Sequence, residues 1–466
     1  MNWIVRLFIY FGIVTVCGPY FDNWTTTEKY LFLSDAYADV CSPTEQQGPR
    51  KNTYRCQEQQ LRVNSLLSYG RMSEFLSSVF IGISVDCYGP RIVSCIGVIL
   101  ALISWVLLGY FPNYDATLKL SMILVGICTN STLLPALTIE RYTKEYKAQS
   151  LIYIGMSSSF TCFLIKGMER ILYYELMDHR TLALGFIVFL IIPCLLFSIG
   201  AFPAGVLGEA PVEDEKMELS IFTRKTEMDQ PEEENTLCQT SAVSVRGERT
   251  TQDTESGNSE LSSLDGEEKW TFYGFLKAIS RKTVILCTLY YAFNVVSLTY
   301  SQQALTISYR DNELVLEFTE YLLPLSFVLC LAFMVIYRFL RPITVIVIMS
   351  TLFALMHISS LFSGTCWGIV YAIFLSCIYS IYNTQVYIYL ESRVSKVCYS
   401  SILGFLNTVG GLSILVNMGL MNYIRDYANI PKVYGALLVI RLVFLGIFGM
   451  IMLDPVLNVS SRENKR

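Results

Sequence analysis

Histidine is nearly absent: the 466 residues hold two, His179 and His357. Two imidazoles build no metal site of the usual kind, and the 14 cysteines include no Cys-x-x-Cys pair to replace them. No metal and no cofactor is therefore expected. Charge is scarce too. Asp, Glu, Lys and Arg make up 16% of the chain, against about 25% in an average soluble domain. The sequence also lacks paired carboxylates, a nucleophile with a histidine partner and a Gly-rich phosphate loop, so an enzyme is not expected. The net charge of −4 misleads. Residues 209–269 hold 17 of the 39 acids and 6 of the 35 bases, leaving 29 bases against 22 acids elsewhere. The acidity belongs to one segment, and no nucleic-acid partner is implied.

What the chain has is long apolar runs. It is 53% hydrophobic with a mean hydropathy of +0.44, which leaves no serious soluble alternative. Runs long enough to cross ~30 Å of hydrocarbon as helices fall at about 4–20, 63–85, 92–111, 118–139, 149–166 and 182–202. Six more fall at about 283–303, 318–337, 342–362, 367–389, 399–421 and 433–453. The expected fold is an all-α membrane protein with 12 transmembrane helices in two six-helix bundles, residues 1–202 and 283–453. Residues 203–282 read as an acidic linker, Glu-, Ser- and Thr-rich, largely disordered and cytoplasmic. It ends in Trp270-Thr271-Phe272-Tyr273-Gly274-Phe275-Leu276-Lys277, whose aromatics and nearby bases suggest an interfacial helix. Residues 454–466 form a cytoplasmic tail. Bases near the membrane in linker and tail, such as Lys277, Arg281 and Lys465, put that side in the cytoplasm; Lys29, Arg50, Lys51, Arg55 and Arg62 in the first loop argue against it.

The first apolar run sits where a signal peptide would, but no small-residue cleavage site follows, so it reads as a retained helix. The polar loop from Asp22 to about Arg62 comes next. It contains Asn23-Trp24-Thr25, a glycosylation acceptor pattern close to the membrane. It also contains Cys41 and Cys56, which pair if the loop faces an oxidising space and otherwise stay as two free thiols.

The second and third runs are joined by Gly82-Ile83-Ser84-Val85-Asp86-Cys87-Tyr88-Gly89-Pro90-Arg91. Gly89-Pro90 is a turn signal, and Asp86 and Arg91 mark a water boundary. The stretch resembles the loop between the second and third helices of major facilitator superfamily transporters, roughly Gly-x-x-x-Asp-x-x-Gly-Arg/Pro-Arg/Lys. Gly82, Asp86, Gly89 and Arg91 stand in its places. The resemblance implies gating: a carboxylate that meets the positive N-terminal end of another helix in one state and leaves it in the other. The bland reading is a tight turn with two solvated charges. The loop from Tyr337 to Pro342, where a second copy could stand, has neither Asp nor Gly. The two halves do share another feature. Glu140-Arg141 ends the fourth run, and Glu391-Ser392-Arg393 ends the tenth at the matching place.

Arg71 lies fifteen residues before Asp86, about 22 Å along a helix and so near mid-membrane. It either meets a substrate carboxylate or pairs with Glu74 one turn on. Tyr290, Asn294, Ser297 and Ser301 form one polar stripe on the seventh helix; Ser376, Ser380, Asn383 and Tyr387 form another on the tenth, with Tyr379 nearby. Thr132 belongs to a polar turn, Cys128 to Thr132, on the fourth. Such stripes line a water-filled path or bond helices together. The path reading takes Arg71, Thr132, Tyr290, Asn294, Ser297, Tyr379, Asn383 and Tyr387 as substrate-binding.

Cys56-Gln57-Glu58-Gln59-Gln60-Leu61, Thr384-Gln385-Val386-Tyr387-Ile388-Tyr389 and Leu403-Gly404-Phe405-Leu406-Asn407-Thr408-Val409-Gly410-Gly411-Leu412 add to the Asp86–Arg91 stretch. Together they resemble solute carrier family 43, the L-type amino acid transporters, and most closely the apicomplexan amino acid transporters. That likeness implies facilitated movement of amino acids across the plasma membrane by alternating access, as a uniporter and a monomer in the lipid bilayer. The internal match between the halves adds Glu140, Arg141, Glu391 and Arg393 as gating candidates beside Gly82, Asp86, Gly89 and Arg91. The uncharged stripes favour a neutral substrate, large or aromatic, with cationic amino acids left open. Alternatives are a carrier of another small polar metabolite such as a nucleoside, and a nutrient sensor whose linker docks cytosolic partners.

Overall fold

The computed structural model describes residues 2–41, 56–143, 146–203, 270–309, 312–337, 339–362, 364–391, 393–394, 396–424 and 427–453. The acidic stretch 209–269 and the tail 454–466 lie outside these residues. All regular elements among the described residues are helical. Among the described residues, nine helices are long and apolar enough to cross a membrane. They are Pro90–Tyr110, Asp115–Arg141, Lys147–Tyr173, His179–Ala201, Lys282–Leu305, Pro342–Ser359, Thr365–Glu391, Tyr399–Asn417 and Ile430–Leu453. Two bent pairs meet the same test, Trp3–Val16 with Tyr20–Leu33 and Leu314–Leu322 with Ser326–Ile336. One more helix, Gln57–Tyr88, has 32 residues, ample length, but Arg71 and Glu74 within it lower its hydropathy. Each of the twelve expected runs thus falls on one of these elements, numbered below in chain order as spans one to twelve. The chain is a multi-pass membrane protein.

The first span differs from expectation. It does not end at Tyr20. Pro19 has no N–H to continue the helix, so the chain passes through a tight turn at Tyr20–Asn23 and resumes as Trp24–Leu33, bent by 51°. Asp22 and Asn23 therefore sit inside the bundle, 4% and 0% exposed, and do not open a loop. Asn23 donates to the Glu320 carbonyl at 3.3 Å, so the asparagine of the glycosylation pattern is buried in the folded protein. The loop beyond is closed by a Cys41–Cys56 disulfide with Cα atoms 5.7 Å apart.

The most extensive packing joins the second span to the eleventh, one from each half. Glycines make it possible. A Cβ at Gly82 would collide with the Ser400 carbonyl, and one at Gly404 with the Ser78 carbonyl. Such small-residue contacts let membrane helices approach backbone to backbone. Thr408 fastens the crossing, donating to the Phe75 carbonyl at 3.0 Å and accepting from the Val79 N–H at 3.1 Å. Before the seventh span, Phe272–Ile279 is a short helix capped by the Thr271 hydroxyl. It buries Phe275 and Ala278 and exposes Phe272, Tyr273 and Leu276.

Candidate functional site

The break in the first span and a turn of the second build the centre. Arg71 Nη2 lies 2.6 Å from Asp22 Oδ1, and Nη1 lies 3.2 Å from Glu74 Oε2. All three are buried. Arg71 and Glu74 share a face through their spacing of three. Asp22 reaches them because the chain stops being helical there. The Arg71 guanidinium also stands over the Phe21 ring, 4.9 Å from its centre. The site thus sets two carboxylates against one guanidinium, an imbalance that is costly in a medium of low polarity.

Asp22 and Glu74 form one wall of a cavity of about 50 Å³, room for one or two waters and less than an amino acid needs. Thr129 and Leu133 of the fourth span and Ser157 of the fifth line it from the same half. The opposite wall is the tenth span where its helix is interrupted, between Thr365–Ile381 and Thr384–Glu391. Tyr379, Tyr382, Asn383 and Tyr387 line it from there. Tyr291 donates to Asn383 Oδ1 at 2.8 Å, and Tyr387 donates to Asn407 Oδ1 at 2.8 Å. Tyr379 lies beside Asp22.

Of the expected substrate-binding residues, the structure brings Tyr379, Asn383 and Tyr387 to this cavity; Arg71 is not among the lining residues and stands behind the wall, paired with Asp22 and Glu74, which do line it. Thr132 is not among the lining residues. It bonds back to the Cys128 and Thr129 carbonyls, and its methyl lies against the third span at Gly97. Tyr290, Asn294 and Ser297 stand elsewhere: the Ser350 hydroxyl donates to Tyr290 at 3.1 Å, Arg441 donates to Asn294 at 2.7 Å, and Ser297 pairs with His357 at 2.8 Å. The seventh-span stripe therefore meets the ninth and twelfth spans. Spacing identifies a polar face but not the neighbour it turns toward. The residues that sequence reasoning missed are Asp22 and Tyr382; Thr129 stood in the polar turn of the fourth helix and Glu74 was noticed as a partner, neither being taken as substrate-binding. The signal for Asp22 was present: Gly18-Pro19 followed by a second apolar cluster, Tyr30-Leu31-Phe32-Leu33, marks a span broken rather than finished.

The cavity is shut at both ends. At the end where the linker joins, Asp86 Oδ2 accepts the Ser401 backbone N–H at 2.8 Å and the Ser401 hydroxyl at 2.6 Å. Ser401 is the third residue of the eleventh span, which begins at Tyr399, so Asp86 caps a helix of the other half. Arg141 adds its charge beside Asp86. Lys147 Nζ meets Glu391 Oε1 at 2.7 Å, again across the halves. Glu140 and Glu391, the matching pair, both bear electrostatically on Tyr399. Gly89 takes a φ of 87°, which suits only glycine well. Arg91 and Arg393 serve their own halves: Arg91 donates to the Phe202 carbonyl at 2.8 Å, and Arg393 stands 4.5 Å over the Tyr389 ring.

At the other end, where the disulfide lies, nothing was foreseen. Glu320 of the eighth span takes Lys29 of the first and Lys166 of the fifth, each at 2.8 Å. Lys166 also meets Glu169 at 3.1 Å, and Arg170 bonds to the Tyr321 hydroxyl.

A family model described as Major Facilitator Superfamily matches residues 64–418. The protein named "Cationic amino acid transporter 8" of Plasmodium berghei (strain Anka) is 22% identical over 459 residues, 95% of this chain and 87% of that one. "Amino acid transporter 6-1" of Toxoplasma gondii (strain ATCC 50611 / Me49) is 23% identical over 98% of this chain and 81% of its own. Among solved structures, the E. coli fucose:proton symporter superposes with a TM-score of 0.60 at 10% identity, covering 97% of this chain and 100% of that one. That likeness is one of fold.

Proposed function

The chain belongs to the Major Facilitator Superfamily, and on that premise we propose that it carries amino acids across the plasma membrane, exposing the Arg71 site to one side at a time. The linker end faces the cytoplasm in this reading, and the disulfide end faces outside. The bundles 1–202 and 283–453 are the moving halves, and the carrier works as a monomeric uniporter. Relatives named for amino acid transport support this substrate class over a nucleoside.

The observation that carries the reading is the charge arrangement at the cavity. An amino acid offers a carboxylate and an ammonium. Its carboxylate suits the flat fork of Arg71, which displaces Asp22 or Glu74 from that guanidinium. The substrate's ammonium then neutralises one of the two carboxylates. With a neutral amino acid the second carboxylate is left buried and unpaired, a cost of several kcal/mol. A cationic side chain neutralises it. The site therefore favours arginine- or lysine-like substrates, whereas the uncharged stripes favour a neutral one. A second reading, a large neutral substrate, draws on the Tyr379 and Tyr382 rings, 5.8 Å apart on the cavity wall.

Uptake of labelled arginine, lysine, leucine and phenylalanine into proteoliposomes tests both. Arginine and lysine are expected to enter fastest. Asp22→Asn is expected to slow arginine at least tenfold relative to phenylalanine, since ~1.4 kcal/mol is tenfold and a broken buried pair loses ~3–5 kcal/mol. No uptake of any amino acid would overturn the carrier reading. Faster uptake of leucine or phenylalanine than of arginine would overturn the cationic one.

A further inference from the structure

Arg441 is a second arginine held deep in the protein. It lies midway along the twelfth span, Ile430–Leu453, with 0% of its surface exposed. Among the described residues no carboxylate pairs with it. Nη1 donates to Asn294 Oδ1 at 2.7 Å, and the Tyr290 hydroxyl also bears on the guanidinium. Phe353, Phe293 and Tyr290 surround the guanidinium, with ring centres 4.0, 4.5 and 5.6 Å from Cζ. The titratable neighbours are bases or phenols. His357 is engaged with Ser297 at 2.8 Å, and the Tyr290 hydroxyl, the nearest other polar group, already accepts from Ser350 at 3.1 Å.

Three donors in this place have no acceptor: Arg441 Nε, Arg441 Nη2 and Asn294 Nδ2. Nε–H and Nη2–H are the two parallel prongs on one edge of a guanidinium, the edge that fits a carboxylate or a small anion. Ring faces stacked on the guanidinium attract its charge but accept nothing along that edge. A water would satisfy a donor and leave the charge, and an unpaired charge at mid-membrane depth is the expensive part. The missing partner is therefore an anion.

We propose that Arg441 and Asn294 form a binding site for a small inorganic anion of chloride size, which neutralises the C-terminal half from within. The site lies apart from the Arg71 cavity and stands whether or not the protein carries amino acids. It predicts that the folded protein is stabilised by chloride, because an ion that binds only the folded state shifts unfolding by mass action.

The test uses the full chain in detergent or nanodiscs, unfolded by heat across a chloride series balanced with gluconate at constant ionic strength. The midpoint is expected to rise with each tenfold increase in chloride until the site saturates. Asn294→Asp puts a fixed carboxylate where Nη1 already bonds. Its midpoint in gluconate alone is expected to match or exceed that of the wild type in chloride, and its chloride response to vanish. An equal wild-type midpoint in chloride and gluconate would overturn the proposal, as would an Asp variant that responds like the wild type. Should that variant not fold, bromide-soaked wild-type crystals decide. Anomalous signal at the Nε–Nη2 edge supports the site, and its absence there sinks it.

Discussion

The two closures of the cavity use different chemistry. At the disulfide end, side chain meets side chain: Glu320 sits between Lys29 and Lys166, and Lys166 also meets Glu169. At the linker end, Asp86 meets the backbone and hydroxyl of Ser401 at the start of a helix. Buried ion pairs recover little beyond the cost of removing both charges from water. A helix N-terminus carries its partial charge on the backbone already, so only Asp86 loses hydration there. The disulfide end is thus held by groups that punish the loss of any one member. The linker end is held by a milder contact that lets go more gently. A carrier that must open each side in turn needs both closures to be breakable, and the two reach that condition by different routes.

The largest effect is expected from removing Glu320. Glu320→Gln leaves Lys29 and Lys166 without their shared anion, a loss of ~3–5 kcal/mol for a broken buried pair. The balance should move toward the state open at the disulfide end, by roughly a hundredfold for ~3 kcal/mol. Asn383→Cys on the cavity wall reports it, in a background where the exposed Cys366 is replaced by Ser. An impermeant thiol reagent added outside intact cells should label this cysteine much faster in the Glu320→Gln protein. Unchanged labelling would mean that the cluster only packs the halves and does not gate them.

The comparison also shows what the sequence could and could not tell. The linker-end closure was legible because Gly82, Asp86 and Gly89 fall close together at one helix junction, and because the residues before Tyr399 form a polar turn. Local sequence set the cap geometry on both sides. The disulfide-end closure was not legible. Lys29 looked like a loop residue, since the first span seemed to end before Asp22. Lys166 and Glu320 sat in runs whose apolar residues outweighed them, and their partners are 154 residues apart. The same division holds at the centre. Arg71 and Glu74 were found because one helix carries both, whereas Asp22 comes from another span and needed the Pro19 break to be recognised. The stripe at Tyr290, Asn294 and Ser297 failed for a related reason: its partner Arg441 lies 147 residues away from Asn294, and nothing local says that the stripe turns toward it.

Removing the charge of Asp86 should have an intermediate effect of opposite sign. The contact stabilises the state shut at the linker end. Asp86→Asn keeps the size and loses the charge, weakening a helix-terminus interaction worth up to ~2 kcal/mol when partly buried. The state balance should then move toward opening at the linker end by up to ~30-fold. The cysteine at Asn383 should be labelled more slowly from outside, with surface expression unchanged and transport slowed. Faster labelling, or normal transport, would leave Asp86 as a turn residue only.

The smallest effect belongs to Lys147 and Glu391, the other tie at the linker end. Their oxygen and nitrogen are 2.7 Å apart, but the lysine side chain keeps 32% of its exposure. Half-exposed pairs of this kind contribute ~0.2–1 kcal/mol and are screened by salt. Lys147→Met alone should open the linker end by no more than about fivefold on that scale. It also leaves Glu391 without the cation 2.7 Å away. A carboxylate that has lost its cation is costly where it is mostly buried, so Glu391→Gln in the same chain should recover part of the loss, whereas Asp86→Asn should add to it. That pattern separates the two ties: the Lys147 effect should fade at high salt, and the Asp86 effect, buried against a helix end, should persist. Outside labelling of the Asn383 cysteine in low and high salt reads both. If salt weakens the two equally, the Asp86 contact is as exposed as the lysine pair, and the contrast drawn between the closures fails at its gentler end.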